Sequence, residues 1–375
     1  MASPASTASP ALSIVLTVYN MRDCLAPCLD DLLGQTYSDF ELICVDDGST
    51  DGSDEVLASY SDRFPAFRLV TQENSGPAAA RNAGMDLAKG EYLMLLDSDD
   101  RFEPTLLETM VTQIRHAQAD IVVCRADEFD HTTGNRRPAG RGIRNELLPP
   151  AALSATDPKP FDVADASGCL FSALMGWPWD KIYRTALIEE HGLLFPNLPN
   201  AEDFPFVFRA LCEAKRIAVI DQILIHHRIK RAGSTSNSRL ASPMSFYEGI
   251  ELLKRDLKAD PALWVQVEWG YLNWALDYAC WNIESLPVGT PERAQLVDAL
   301  LNGGMPALEL EKRPPQYFSL HPDDLWCLRR LKRELETGKP CRKSLWEYLW
   351  VACHRVGEVG IGGLLKQFVA LVRSR

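Results

Sequence analysis

The stretch G90-E-Y-L-M-L-L-D-S-D-D-R-F102 decides how the chain is read. Tyr92 to Leu96 are five consecutive apolar or aromatic residues, the pattern of a strand buried on both faces. Asp97, Asp99 and Asp100 follow at once, grouped around Ser98. Carboxylates repel one another and are costly to desolvate. Three of them at the end of a buried strand call for compensating positive charge.

Four further runs resemble this strand: Leu12–Val18, Phe40–Asp47, Phe67–Gln72 and Asp120–Cys124. Helical patterns lie between them, over Asp23–Leu33, Asp54–Phe64, Pro77–Ala88 and Pro104–Ala117. Continuous apolar strands alternating with helices predict an α/β fold, a mostly parallel sheet with helices on both faces. Such sheets bind ligands outside the carboxyl ends of their strands. Polar residues gather there: Tyr19 and Asn20 after the first strand, Asp46 and Asp47 with Gly-Ser-Thr-Asp-Gly-Ser at the second. Glu73 to Gly76, leading to Arg81 and Asn82, follow the third, and the acids follow the fourth.

Alternating acids at a strand end suit a hard divalent cation, Mg2+ or Mn2+, that fills its shell with phosphate oxygens. Arg81, in the first turns of a helix opened by Gly76-Pro77, favours phosphate as well. Asp100 is the member of the acidic group expected to cap the next helix.

Composition narrows the class. The chain has 375 residues, 46% hydrophobic and 24% charged, with a net charge of −12. That balance fits a globular protein and argues against a general nucleic-acid binder. No apolar run reaches the ~18 residues of a spanning helix. Residues 1–10 read as a disordered leader without a secretory signal. The ten cysteines lack zinc spacing, and Cys44 and Cys124 sit in strand patterns, so a reduced, cytoplasmic setting is expected. Residues 128–165 read as an irregular insertion. From 237 onward the pattern is helical, over Ser245–Lys258, Ala262–Ile283, Pro291–Leu301 and Pro322–Glu336. The end, 339–375, is basic and amphipathic: seven Lys/Arg against two Glu give +5. It suits peripheral contact with anionic lipid or an interface, including one in a homo-oligomer.

Taken together, S13-I-V-L-T-V-Y-N20, F40-E-L-I-C-V-D-D-G-S-T-D-G-S53, N74-S-G-P-A-A-A-R-N-A-G84, the acidic stretch and A201-E-D-F-P-F206 resemble glycosyltransferase family 2, of the GT-A fold, over about residues 11–236. W179-D-K-I-Y-R184 and H227-R-I-K-R-A-G-S-T-S236 resemble its subgroup that builds bacterial capsular, exopolysaccharide and teichoic-acid glycans. The resemblance implies a metal-dependent, inverting transfer from a nucleoside-diphosphate sugar, with UDP favoured, to a glycan or lipid-linked acceptor. It implies that Thr17, Val18 and Tyr19 flank the base and ribose. Asp47, with Asp46 beside it, would read the base edge, and Asn74 and Arg81 would contact the nucleotide. Asp97 and Asp99 would be the D-x-D pair around Ser98, with Asp99 the direct metal ligand. Asp203 would be the general base and Glu202 its orienting partner. Arg228, Lys230, Arg231 and Ser234, with Ser236, would meet the diphosphate, and Lys181 either the donor or acceptor or a surface or core-rim salt-bridge partner. His226 or His227 is either a further metal ligand or a structural residue. Trp177 and Trp179 either line the acceptor or pack. Trp264, Trp269, Trp274 and Trp281 read as core or interface residues. The rival reading is a non-catalytic nucleotide-sugar or glycan-binding protein on the same fold. A dehydrogenase lacks its G-x-G-x-x-G.

Overall fold

The computed structural model describes residues 9–139, 142–166, 168–229, 231, 242–302, 308–309, 312–314, 317–318, 320–321 and 323–337. The first half alternates as expected: β1 (Leu12–Val18), α1 (Arg22–Leu33), β2 (Phe40–Asp46), α2 (Ser53–Tyr60), β3 (Phe67–Thr71), α3 (Pro77–Leu87) and β4 (Tyr92–Asp97). Then come β5 (Arg101–Phe102), α4 (Leu106–His116), β6 (Ile121–Asp130), β7 (Arg136–Pro138) and β8 (Leu153–Ser154). They are followed by α5 (Leu170–Ala173), β9 (Lys181–Arg184), α6 (Thr185–Glu190), α7 (Asp203–Glu213) and β10 (Ile217–Ile229). The chain continues through α8 (Ser245–Lys258), α9 (Pro261–Ser285), α10 (Pro291–Leu301) and α11 (Asp323–Thr337). Of the 128–165 stretch, β6 takes the first residues and the short β7 and β8 are its other strands.

The strands form one sheet in the order β3-β2-β1-β4-β9-β6-β10-β5, with β7 beside β6 and β8 beside β10. β3, β2, β1 and β4 run parallel. β9, which the apolar-run pattern does not pick out, lies antiparallel between β4 and β6. Four residues suffice for this strand because Ile182 and Tyr183 are fully buried between neighbours already in place.

Local sequence explains the layers. β1, β2 and β4 are buried along nearly their whole length, as strands covered on both faces must be. α1 buries Cys24, Leu25, Cys28, Leu29 and Leu32, a stripe at i, i+4, i+8 spacing. All of these but Cys24 join Leu12, Ile14, Leu16, Met94 and Leu96 in the main core. Full burial of each such side chain stabilises by about 1.5–3 kcal/mol before conformational entropy is counted.

Two compact units result, one running to Tyr271 and the other from Leu272. In the first, Trp264 is buried; in the second, Trp274 is. No helix among the described residues is long and apolar enough to cross a membrane. The basic end, 339–375, lies outside the described residues.

Candidate active site

Register brings the acidic strand end beside the ends of its neighbours. Thr17 of β1 pairs with Asp97 of β4, and Val18 with Asp46 of β2. The Ser98 hydroxyl donates to the Thr17 carbonyl at 2.8 Å and is buried, strapping β4 to β1. Ser98 therefore acts on the frame. The Val18 carbonyl accepts from the Asp47 N–H at 2.9 Å.

Asp46 and Asp47 are both buried. Asp46 Oδ1 accepts from the Ser49 N–H at 3.0 Å. Asp47 Oδ1 accepts from Gln72 Nε2 at 2.7 Å and from the Ser75 N–H at 2.9 Å, and its Oδ2 from the Gly76 N–H at 2.9 Å. The pair organises the loops after β2 and β3. Gly48, at φ +77°, completes that arrangement: a Cβ there would come within 2.9 Å of the Asn74 backbone nitrogen. Tyr19, 45% exposed, and the exposed Asn74 are left on the rim.

Arg81 lies on α3 and is buried. Its Nη2 donates to Asp97 Oδ1 at 3.0 Å. Its Nη1 donates to Glu202 Oε1 and to Asp203 Oδ1, each at 2.8 Å. One guanidinium thus joins the end of β4 to the head of α7, and the Phe195 ring lies 5.3 Å from it. Asn82 fixes that ring's backbone through two bonds of 2.9 Å, one donated and one accepted.

Ala201 precedes this pair with φ at +63°. A left-handed alanine is strained, and it turns the chain immediately before the two acids. Glu202 precedes α7 but makes no side-chain cap bond; its carboxylate goes to Arg81 instead. Burial drives the Asp203 carboxyl well above the ordinary carboxylate range; Arg81 opposes this, while Glu202 and Asp97 add to it. Burial opposes the Arg81 charge, but Asp203, Asp97 and Glu202 hold it firmly protonated.

The other two acids meet the end of β10. Asp99 Oδ2 accepts from Arg231 Nε at 3.0 Å, and the Asp99 carbonyl from Arg228 Nε at 2.7 Å. Asp100 does not cap a helix, contrary to expectation. It is fully buried and lies 3.0 Å from His227 Nδ1, and it accepts the Arg228 N–H at 2.9 Å. Tertiary pairing across 127 residues overrides the local capping habit of aspartate.

Burial opposes the His227 charge, yet Asp100 above all raises it from 6.5 to about 9. Burial lifts Asp100 to about 6 against the pull of His227. The His227 ring stacks on Trp179 at 5.1 Å, and Trp179 on Trp177 at 4.7 Å. Trp179 is buried; Trp177 is partly exposed. His226 has both ring nitrogens engaged, Nδ1 with Asp127 at 2.6 Å and Nε2 with Glu103 at 2.8 Å, so it is tied into the sheet.

Lys181 takes the second of its two expected readings, a salt bridge, here with Asp180 inside the core. Its side chain has 0% exposure, and Nζ donates to the carbonyls of Met175 and Trp177 and to Asp180 Oδ1. All three protons serve the fold, which leaves none for a donor or acceptor. Lys230, Ser234 and Ser236 lie outside the described residues. Two features escaped sequence reasoning: the Asp100–His227 pair and the Phe195–Asn82 buttress. A histidine after an apolar strand was visible, but its partner was not.

The acids are therefore compensated within the chain, Asp97 by Arg81, Asp99 by Arg231 and Asp100 by His227. Asp97 and Asp99 retain hard oxygen donors at the sheet edge. Among the described residues no group of three or more His, Cys, Asp or Glu side chains closes around an ion. That donor set fits a cation that completes its shell with oxygens of a bound ligand.

Residues 13–184 match the sequence model of "Glycosyl transferase family 2". The chain is 31% identical to the glycosyltransferase EpsJ of Bacillus subtilis (strain 168) over 58% of this chain and 61% of that protein. It is also 31% identical to the poly(ribitol-phosphate) beta-glucosyltransferase of Bacillus spizizenii, over 66% of this chain and 37% of that protein. The chain thus spans 61% and 37% of these curated relatives' lengths. The crystal structure of Staphylococcus aureus TarS 1–349 in complex with UDP-GlcNAc superposes with a TM-score of 0.65 at 24% identity. The superposition covers 89% of this chain and 94% of that one, and it shows the shared fold.

Proposed function

From the match of residues 13–184 to the sequence model of glycosyl transferase family 2, we propose that the chain transfers a sugar, with inversion, from a UDP-sugar to a hydroxyl of a glycan or lipid-linked acceptor. The observation that carries this reading is the Arg81 bridge. It sets a carboxylate at the mouth of the parallel sheet, Asp97, and a carboxylate pair at a helix head, Glu202 and Asp203, around one buried cation.

In this reading Asp203 is the general base. Its carboxylate takes the proton from the acceptor hydroxyl as that oxygen attacks the anomeric carbon and the bond to the diphosphate breaks. A positioned base contributes about 10²–10⁴-fold. Glu202, held by the same guanidinium, orients the base. Tyr19 and Asn74 on the rim face the nucleobase, with Asp46 and Asp47 shaping the loops behind them and Thr17 and Val18 forming the floor. Arg228 and Arg231 meet the diphosphate in this reading, the role also assigned to Lys230 and Ser234.

Mg2+ or Mn2+ would be held by Asp99 with Asp97, and when bound it neutralises the leaving diphosphate. The Bacillus spizizenii relative acts on poly(ribitol-phosphate). That likeness favours an acceptor of cell-surface polymer synthesis, met at the cytoplasmic face of the membrane.

The test is a panel of nucleotide sugars, read by thermal shift with and without Mn2+ and by release of free nucleotide on addition of acceptor glycans. One donor should stabilise the protein more strongly with the cation and be turned over. Binding of a donor without turnover on any acceptor would favour the rival binding-protein reading, and no binding at all would remove both.

A further inference from the structure

Arg81 departs most clearly from the role its motif implies. Its place after Gly76-Pro77 led to the expectation that it contacts the nucleotide. Yet its hydrogen bonds run to Asp97, Glu202 and Asp203. Its side chain is 7% exposed, and the Phe195 ring lies alongside.

Arg81 faces Asp203 from α3, Glu202 from its own chain end, Asp97 from β4 and the Tyr183 phenol from β9. Burial pushes the Tyr183 phenol well up, so it stays neutral. Among these groups Arg81 alone is positive. Take its charge away, and three carboxylates are left near one another in a partly buried site. Such a group relieves itself by taking up a proton, and a protonated Asp203 cannot accept one from a hydroxyl.

The geometry points to Arg81 as a positioning residue for the base: it keeps Asp203 ionised and its carboxylate fixed, and it takes no part in holding the nucleotide. This rests on the transferase reading, in which Asp203 is the base.

Three measurements on the full chain, on wild type, Arg81→Gln and Arg81→Lys, test it. They are UDP binding by calorimetry, the pH profile of kcat/KM, and a ¹³C NMR titration of the Asp203 carboxyl assigned with Asp203→Asn. In Arg81→Gln, UDP should bind within about twofold of wild type. The acidic limb of the profile and the NMR midpoint should both move to alkaline pH by about one to three pH units, the effect of losing a close opposite charge. Transfer at pH 7 should fall about tenfold or more and recover in alkaline buffer. Arg81→Lys keeps the charge, so its limb should stay near that of wild type and its UDP affinity should be unchanged.

An Asp203 midpoint that is the same in wild type and Arg81→Gln overturns the proposal. So does loss of UDP binding in Arg81→Lys, the variant that decides the matter if Arg81→Gln does not fold. If wild type transfers no sugar, the transferase reading fails separately, and the NMR titration still decides whether Arg81 sets the ionisation of Asp203.

Discussion

Asp99 Oδ2 and Arg231 Nε stand 3.0 Å apart, so the middle acid of the stretch after β4 has a guanidinium partner from just beyond β10. Both side chains are largely buried, at 13% and 17% exposure. A divalent cation on Asp99 must compete with that guanidinium. Arg231→Ala should therefore tighten Mn2+ binding in nucleotide-free protein by about two- to fivefold, the range expected for removing one partly screened ion pair. The same change should weaken binding of Mn2+ with UDP, because Arg231 would then be missing from the diphosphate. Calorimetric titrations with Mn2+ alone and with Mn2+ plus UDP read the two effects. Weaker Mn2+ binding in nucleotide-free Arg231→Ala would contradict the competition.

Asp203→Asn keeps the size of the side chain and removes the basic oxygen. Turnover should fall by about 10²–10⁴-fold, with donor affinity close to wild type. Because burial holds the Asp203 carboxyl well above the ordinary range, the wild-type rate should drop with falling pH, starting at higher pH than an ordinary carboxylate would set. The sign follows from the mechanism: the base works only when deprotonated, and acid protonates it. A rate flat from pH 5 to 8 would exclude Asp203 as the base.

His227 gives a pH-dependent contribution to stability. It faces Asp100 directly, with Asp97 and Asp99 further off, and its pKa rises from 6.5 to about 9. A raised folded-state pKa means that the native protein holds the proton more tightly than the unfolded chain. The stabilisation is fully present below pH 6.5 and is lost as pH rises through about 9. Its size is about 3 kcal/mol at most. Urea unfolding of wild type and His227→Gln, at pH 6.5 and pH 9.5, should show the difference between the two proteins shrinking at the higher pH. A constant difference would rule out this linkage.

Gly270 of α9 passes directly over Gly168, and a Cβ at Gly270 would fall on the Gly168 carbonyl. That clash is with backbone, which cannot swing aside as a side-chain end can. Gly270→Ala should destabilise the protein by about 1–3 kcal/mol or more, measured as a lower urea midpoint with an unchanged slope. An unaltered midpoint would mean that the loop around Gly168 yields freely.

The sequence by itself determined the elements. Buried strands are written as unbroken apolar runs, and β1, β2, β3 and β4 lie where those runs predict. Helical spacing likewise marked Ser245–Lys258 and Pro291–Leu301, which form α8 and α10. Both signals are local: a strand covered on two faces and a helix with one apolar face carry their environment in consecutive residues. The parallel sheet and its polar edge follow from the alternation of these elements.

Only the tertiary structure decided how the charges pair. Arg81 meets Glu202 across 121 residues and His227 meets Asp100 across 127. No spacing rule spans such distances, because the pairing depends on which strand ends the sheet sets side by side. The same holds for β9, a four-residue strand that gains its place from its neighbours. It also holds for Lys181, for which ligand contact and salt bridge are separated only by the three internal acceptors that enclose it. Carboxylates at a buried strand end require cations, and that much is physics legible in the residues. Which cations answer is settled by topology.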